Sequence, residues 1–187
     1  MLPRKHPPAI LLIALLLVAC NNPRADYEEV QKLQDAAEQV VQRSPDYDVR
    51  IKSCEDAISA LQRFLDKHKE GEWTNVAKNA LASWQARRSN FEREINFLME
   101  QLSSQLRERA IEEAKKVHPA SKIEKLNLEN RARRKEGYNI QVNDTYSIRM
   151  RGVILGTHIF KLTVRVSGSI AMDSKKIFVD EKATAEE

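Results

Sequence analysis

Between Thr74 and His118 the chain contains neither glycine nor proline, and Pro119 closes the run. Such a stretch predicts one continuous helix roughly 65 Å long, at ~1.5 Å of rise per residue. Its apolar positions are Ala77, Leu81, Trp84, Phe91, Ile95, Leu98 and Leu102, then Leu106, Ala110 and Val117. Steps of four and three dominate up to Leu102, with Arg88 filling one slot; beyond it the sequence turns charged. A sustained coiled coil needs three or four clean heptads. The stripe is therefore covered most economically by other parts of the same chain.

Two shorter helices precede it. Tyr27, Val30, Leu33, Ala37, Val40 and Val41 share one face of a helix from about Asp26 to Gln42. Asp26, Glu28 and Glu29 occupy its first turn, where the helix dipole favours negative charge. Ser44-Pro45-Asp46 predicts a restart, with Ser44 as N-cap and Pro45 at the first helical position. The second helix carries Ile51, Cys54, Ile58, Leu61, Phe64 and Leu65. Basic residues in its last turn and Gly71 beyond form a stop signal.

Past Pro119 the period changes from helical to two. Leu126 and Leu128 alternate with polar residues, 135–138 reads as a turn, and Ile140 and Val142 alternate again before a turn at Asn143-Asp144. Tyr146, Ile148, Met150 and Ile154 then lie at even positions; Gly156-Thr157 predicts a hairpin turn. The return strand keeps His158, Phe160, Leu162, Val164, Val166, Ile170 and Met172 even. Period two over this length predicts antiparallel strands with one buried face, and Gly152 and Gly168 suggest bulges. Asp173-Ser174-Lys175 turns into a last strand, 176–180. The expected fold is α+β: an N-terminal helical hairpin or bundle with one long helix, followed by an antiparallel β-meander packed on a helix. Leu102, Leu106, Ala110 and Val117 are the expected cover for the sheet.

The first 25 residues are of another kind. Arg4 and Lys5 precede an apolar run from Ala9 to Ala19, the layout of a secretory signal and too short for the roughly 20 residues of a membrane-spanning helix. Leu17-Val18-Ala19-Cys20, at its end, resembles the lipobox of bacterial lipoproteins, in which signal peptidase II cuts before a cysteine that has just been lipidated. The resemblance implies a mature chain that begins at Cys20 and holds to a membrane by palmitate-type acyl chains. Two or more chains make such anchoring stable. Asn21 replaces the aspartate that, in enteric-type lipoproteins, retains the protein at the inner membrane. The implied location is the outer membrane, facing the periplasm. The expected layout is a signal peptide 1–19, a lipidated tether 20–25, a helical region 26–118, a β region 119–181 and a polar tail 182–187.

Without residues 1–19 the chain keeps 168 of its 187 residues, and its net charge falls from +4 to +2 as Arg4 and Lys5 leave. So mixed a balance gives no support for a nucleic-acid partner. Cys20 is consumed by lipid, so Cys54 is left as the single thiol and no internal disulfide can form. Its helical apolar setting predicts a small buried hydrophobe, with a reactive thiol as the alternative. His68, His118 and His158 lie in different elements without a second ligand at metal spacing, so neither metal nor cofactor is expected. No catalytic motif is present: Ser167-Gly168-Ser169 sits in a strand rather than at a nucleophile elbow, and Asn143-Asp144-Thr145 reads as a turn.

Arg131, Arg133, Arg134 and Lys135 form the densest basic cluster. It reads either as an anion or partner contact or as a strand edge guarded by charge. Trp73, ahead of the long helix, is a second candidate contact. Ala57, Ala60 and Phe64, the loop 69–72, then Ala77, Ala80 and Leu81 resemble part of a tetratricopeptide hairpin, of the kind used by outer-membrane assembly lipoproteins. Gly71 stands where those repeats carry proline, and no second copy recurs at a period of about 34 residues. An ordinary bundle therefore stays open beside it. The expected function is a lipid-anchored envelope protein acting as a binding or structural module with an envelope protein partner. The alternatives are a tetratricopeptide-like adaptor in outer-membrane assembly and an enzyme acting on envelope material.

Overall fold

Three helices followed by an antiparallel sheet make up the described residues, 22–152 and 158–187, of a computed structural model. The segment resembling a lipobox and the turn at Gly156-Thr157 lie outside them. Helix α1 spans Pro23–Arg43, starting three residues earlier than its apolar face suggested. Asn22 explains the early start: its side chain accepts hydrogen bonds from the backbone N–H of Arg24 and Ala25, and proline suits the first helical position. The polar tether thus ends at Asn22. Ser44 closes α1, its N–H bonded to Val40 O, and α2 begins only at Tyr47, spanning Tyr47–Lys67. Serine before proline fits either a helix start or a helix end, and here the end prevails. Helix α3 spans Glu72–Val117, reached through Gly71, whose φ of +116° only glycine adopts without strain.

The chain divides into two units. The first holds the described residues up to Ser44 together with Asp48–Ser89. Here α1, α2 and the first part of α3 form a three-helix bundle around Tyr27, Val30, Val41, Cys54, Leu61, Phe64, Ala77 and Trp84, all buried. Trp84 Nε1 donates to Gln34 Oε1 at 3.0 Å, and Arg87 lies 5.1 Å above the Trp84 ring while its Nη2 donates to Glu38 at 2.9 Å. Cys54 is fully buried, and burial pushes its thiol pKa up, so it is a core atom rather than a nucleophile.

The second unit holds Pro45–Tyr47 and Asn90–Glu187. Strands β1 (Ser121–Glu136), β2 (Asn139–Gly152) and β3 (Ile159–Ala171) form a meander. Two short strands, β4 (Lys176–Val179) and β5 (Thr184–Glu186), both add to the free edge of β3. Residues 184–186, read as tail, are thus part of the sheet. Gly137, with φ of +58°, opens a two-residue loop between β1 and β2, the pattern of a type II′ turn. The even-numbered face of β2 and β3 is buried: Ile140, Val142, Tyr146, Ile148 and Met150 opposite Leu162, Val164, Val166 and Ile170. His158, placed on that face by its parity, is exposed just before β3 begins.

Leu98, Leu102, Leu106, Ala110 and Ala114 of α3 are buried in this unit, whereas Val117, the last helical residue, is exposed. Gly168 marks where helix meets sheet. A Cβ there would lie 2.9 Å from Leu102 Cδ1 and 2.6 Å from the Phe178 carbonyl. Close approach, not a bulge, is what this glycine serves; β2 and β3 pair without a register shift from Asn139 to Arg151. The bulges are in β1, where register shifts fall between Ile123 and Lys125 and between Leu128 and Asn130. Each extra residue switches which parity faces inward. The inner face of β1 therefore runs Ile123, Leu126, Leu128, Arg131, Arg133, Lys135, as their buried partners on β2 show.

Candidate functional site

Asn143-Asp144, read as a turn, lies in the middle of β2. Asp144 sits on the inner face with its side chain 0% exposed. A carboxylate survives there because it is neutralised and fully bonded. Arg131, directly across on β1, donates Nε to Oδ1 at 2.7 Å and Nη2 to Oδ2 at 2.6 Å, and Tyr146 Oη donates to Oδ2 at 3.1 Å. Burial, ahead of the neighbouring carboxylate, pushes the Tyr146 phenol up to about 12, so it stays a neutral donor.

The basic cluster is thereby divided. Arg131 is committed to Asp144, Lys135 Nζ bonds Asp46 at 2.8 Å, and Arg134 lies 3.3 Å from Glu136 on the surface. Arg133 alone of the four has no ion pair among the described residues. One free cation is a thin basis for an anion site; the geometry favours two structural ties and a charged strand edge. Trp73 is also turned to packing: half-buried, with its ring 5.4 Å from that of Tyr27.

A feature that sequence reasoning missed lies in the first unit. Leu33 and Val40 share the periodicity of the buried face of α1, yet Leu33 is 52% exposed and Val40 is exposed as well. With Ala36 and Ala37 they form one wall of an open groove of about 420 Å³. The facing wall comes from Ser53, Asp56, Ser59 and Arg63 of α2. A second cavity of about 370 Å³ shares Leu33 and Arg63 with it and extends to Val30, Asp26 and Lys67. The polar residues of α2 explain why α1 is left uncovered there.

At that end, Asp26 Oδ2 lies 2.6 Å from Lys67 Nζ and 2.7 Å from His68 Nε2. Hydrogen bonds from Lys67, then His68, hold the Asp26 carboxyl below its ordinary value, and the Arg87 hydrogen bonds do the same for Glu38. A lowered carboxylate pKa stabilises the fold above the unfolded value, and that stability is lost as pH falls through the folded one. The helical unit should therefore keep a constant urea midpoint from neutrality to about pH 5 and lose stability progressively toward pH 3. Asp26→Asn with Glu38→Gln should flatten the acid limb, read by tryptophan fluorescence; an unchanged limb would show that neither contact matters.

His68 is 2% exposed in its side chain and packs at a tilt against the Phe64 ring, centroids 4.7 Å apart, so its pairing with Asp26 offers no imidazole face to a substrate. His118 stacks on Phe160 at 4.0 Å with Glu187 at its Nε2. Among the described residues no group of three or more histidine, cysteine or carboxylate side chains is placed to hold a metal, and no helix is long and apolar enough to cross a membrane. The chain matches no protein-family model, and no curated protein and no solved structure shows significant similarity to it.

Proposed function

We propose that this is a lipid-anchored protein of the bacterial outer membrane, facing the periplasm, and that it acts as a binding module through the α1–α2 groove. The observation that carries binding is the groove itself, with Leu33 and Val40 exposed on a helix that buries its other large apolar side chains, Tyr27, Val30 and Val41. Exposed apolar surface of this kind, rimmed by polar residues, suits an envelope protein partner. Anchoring rests on Leu17-Val18-Ala19-Cys20. A second reading, a tetratricopeptide-like adaptor, draws support from Ala57, Ala60 and Ala77, all buried in the first unit.

Two experiments test the halves separately. Cys20→Ser should abolish acylation and either release the protein from the membrane fraction or leave it unprocessed. A variant that is cleaved yet stays membrane-bound would refute the anchor. For the groove, a photo-crosslinking side chain at Leu33 in intact cells should yield a discrete envelope adduct that the same group at exposed Lys52 does not. Identical patterns from both positions would remove the groove from consideration.

A further inference from the structure

The outer face of the sheet carries a site unrelated to the groove. Gln141 and Asn143 on β2, Ser167, Gly168 and Ser169 on β3, and Asp180 after β4 line a polar cleft of about 110 Å³. Asn143 is a poor strand former in a central strand, and Asn and Gly are both depleted from such positions. Gly168 is explained by the helix beneath it; Asn143 has no such reason. Breaches of local preference without a packing cause concentrate at functional sites. The wall is already oriented: Asp180 N–H bonds Ser167 O at 2.9 Å, and the Ser167 hydroxyl bonds the Asp180 carboxylate. Gln141 Nε2 is held by Glu136 at 2.8 Å, which leaves its carbonyl oxygen as a fixed acceptor.

Beside the cleft stands an aromatic ring. Phe178 pairs with Ser169, Ser169 with Gln141 and Gln141 with Arg134, so one row across the outer face reads Phe178, Ser169, Gln141, Arg134. Directly opposed side chains have Cβ atoms roughly 5 Å apart. Phe178 is 52% exposed, next to the hydroxyls and amides of the cleft; Ile159, 45% exposed on the same face, lies at the far end of β3.

An exposed aromatic plane next to planar amide and carboxylate groups matches the two sides of a pyranose. The ring's C–H face packs on the aromatic, and its vicinal hydroxyls both donate and accept at the polar edge. We infer that this face binds a neutral glycan, with one sugar lying over Phe178 and its hydroxyl edge in the cleft of Asn143, Ser167, Ser169 and Asp180. The carboxylate in the wall disfavours an anionic ligand, because Asp180 would meet it as a like charge. The cleft volume admits the edge of a sugar rather than the whole ring, so the affinity expected is modest, with Kd on the order of 1 mM.

The test titrates the isotope-labelled full chain, in a detergent without a sugar headgroup, with maltotetraose, N,N′-diacetylchitobiose or inorganic phosphate, each to ~10 mM. Saturable amide shifts confined to 139–145, 166–171 and 177–181 with either saccharide are expected. Phe178→Ala should weaken binding about tenfold by removing the stacking face, and Asn143→Ala should weaken it as well. Arg149→Ala, elsewhere on the outer face, should not; unperturbed shifts outside the site show that each variant is folded. No shift with either saccharide, shifts located elsewhere, a response to phosphate alone, or Phe178→Ala binding as well as the parent would each overturn the assignment.

Discussion

Leu162→Asp is expected to unfold the sheet unit. Leu162 is almost fully buried on β3, opposite Ile148. Losing its burial costs about 1.5–3 kcal/mol. The new carboxylate finds itself in an apolar layer with no cation, which raises the penalty to at least about 4 kcal/mol. Domains of this kind have only ~5–15 kcal/mol in total. Thr163→Asp, one residue away on the outer face, should cost no more than about 1 kcal/mol, and that chiefly because Glu186 lies directly across on β5. Both tryptophans belong to the first unit, so their fluorescence reports the helical bundle, while amide exchange across 139–152 and 159–171 reports the sheet. Exchange protection lost in the first variant and kept in the second is the expected pattern; equal protection would contradict the face assignment.

Arg131→Ala is the second large effect, about 3–5 kcal/mol, because it leaves the fully buried Asp144 charge without its cation. The converse change is milder. Asp144→Asn keeps an acceptor for Tyr146 and frees a guanidinium that is already 31% exposed and can turn to water. We expect about 1–2 kcal/mol for it. Thermal melts of the two variants should therefore differ by several degrees, Arg131→Ala melting lower. The reverse order would mean that Asp144 is satisfied by something other than Arg131.

Long-range regularity was legible in the residues. The glycine- and proline-free run became α3, and even parity across β2 and β3 became the buried face, because each repeats one period over many residues. Features that depend on a partner in space were not. Asp144 keeps inner parity but is polar, so without Arg131 opposite it resembles a turn. Leu33 and Val40 sit on the correct helical face, yet what they meet is decided by Ser53, Asp56 and Ser59 on another helix. The basic cluster was visible as charge, but its division among Asp144, Asp46 and Glu136 required the fold. Thr184–Glu186 is too short to carry a period, and pairing with β3 alone makes it a strand.

The two irregularities of β1 bear on how the coding sequence can change. Glu129 is exposed, and by burial it would rank among the most replaceable positions. Replacement and removal are nonetheless different events. Any side chain can stand at that point, and because Glu129 is the extra residue of the bulge, an in-frame loss of its codon closes the bulge and keeps Arg131 opposite Asp144. Loss of Ala132, equally exposed but regularly paired, would instead turn Arg133 and Lys135 to the outer face and take Lys135 away from Asp46. Two exposed codons three positions apart therefore differ in what their loss does, so length should be tightly constrained along the regular part of β1 and loose at its bulge.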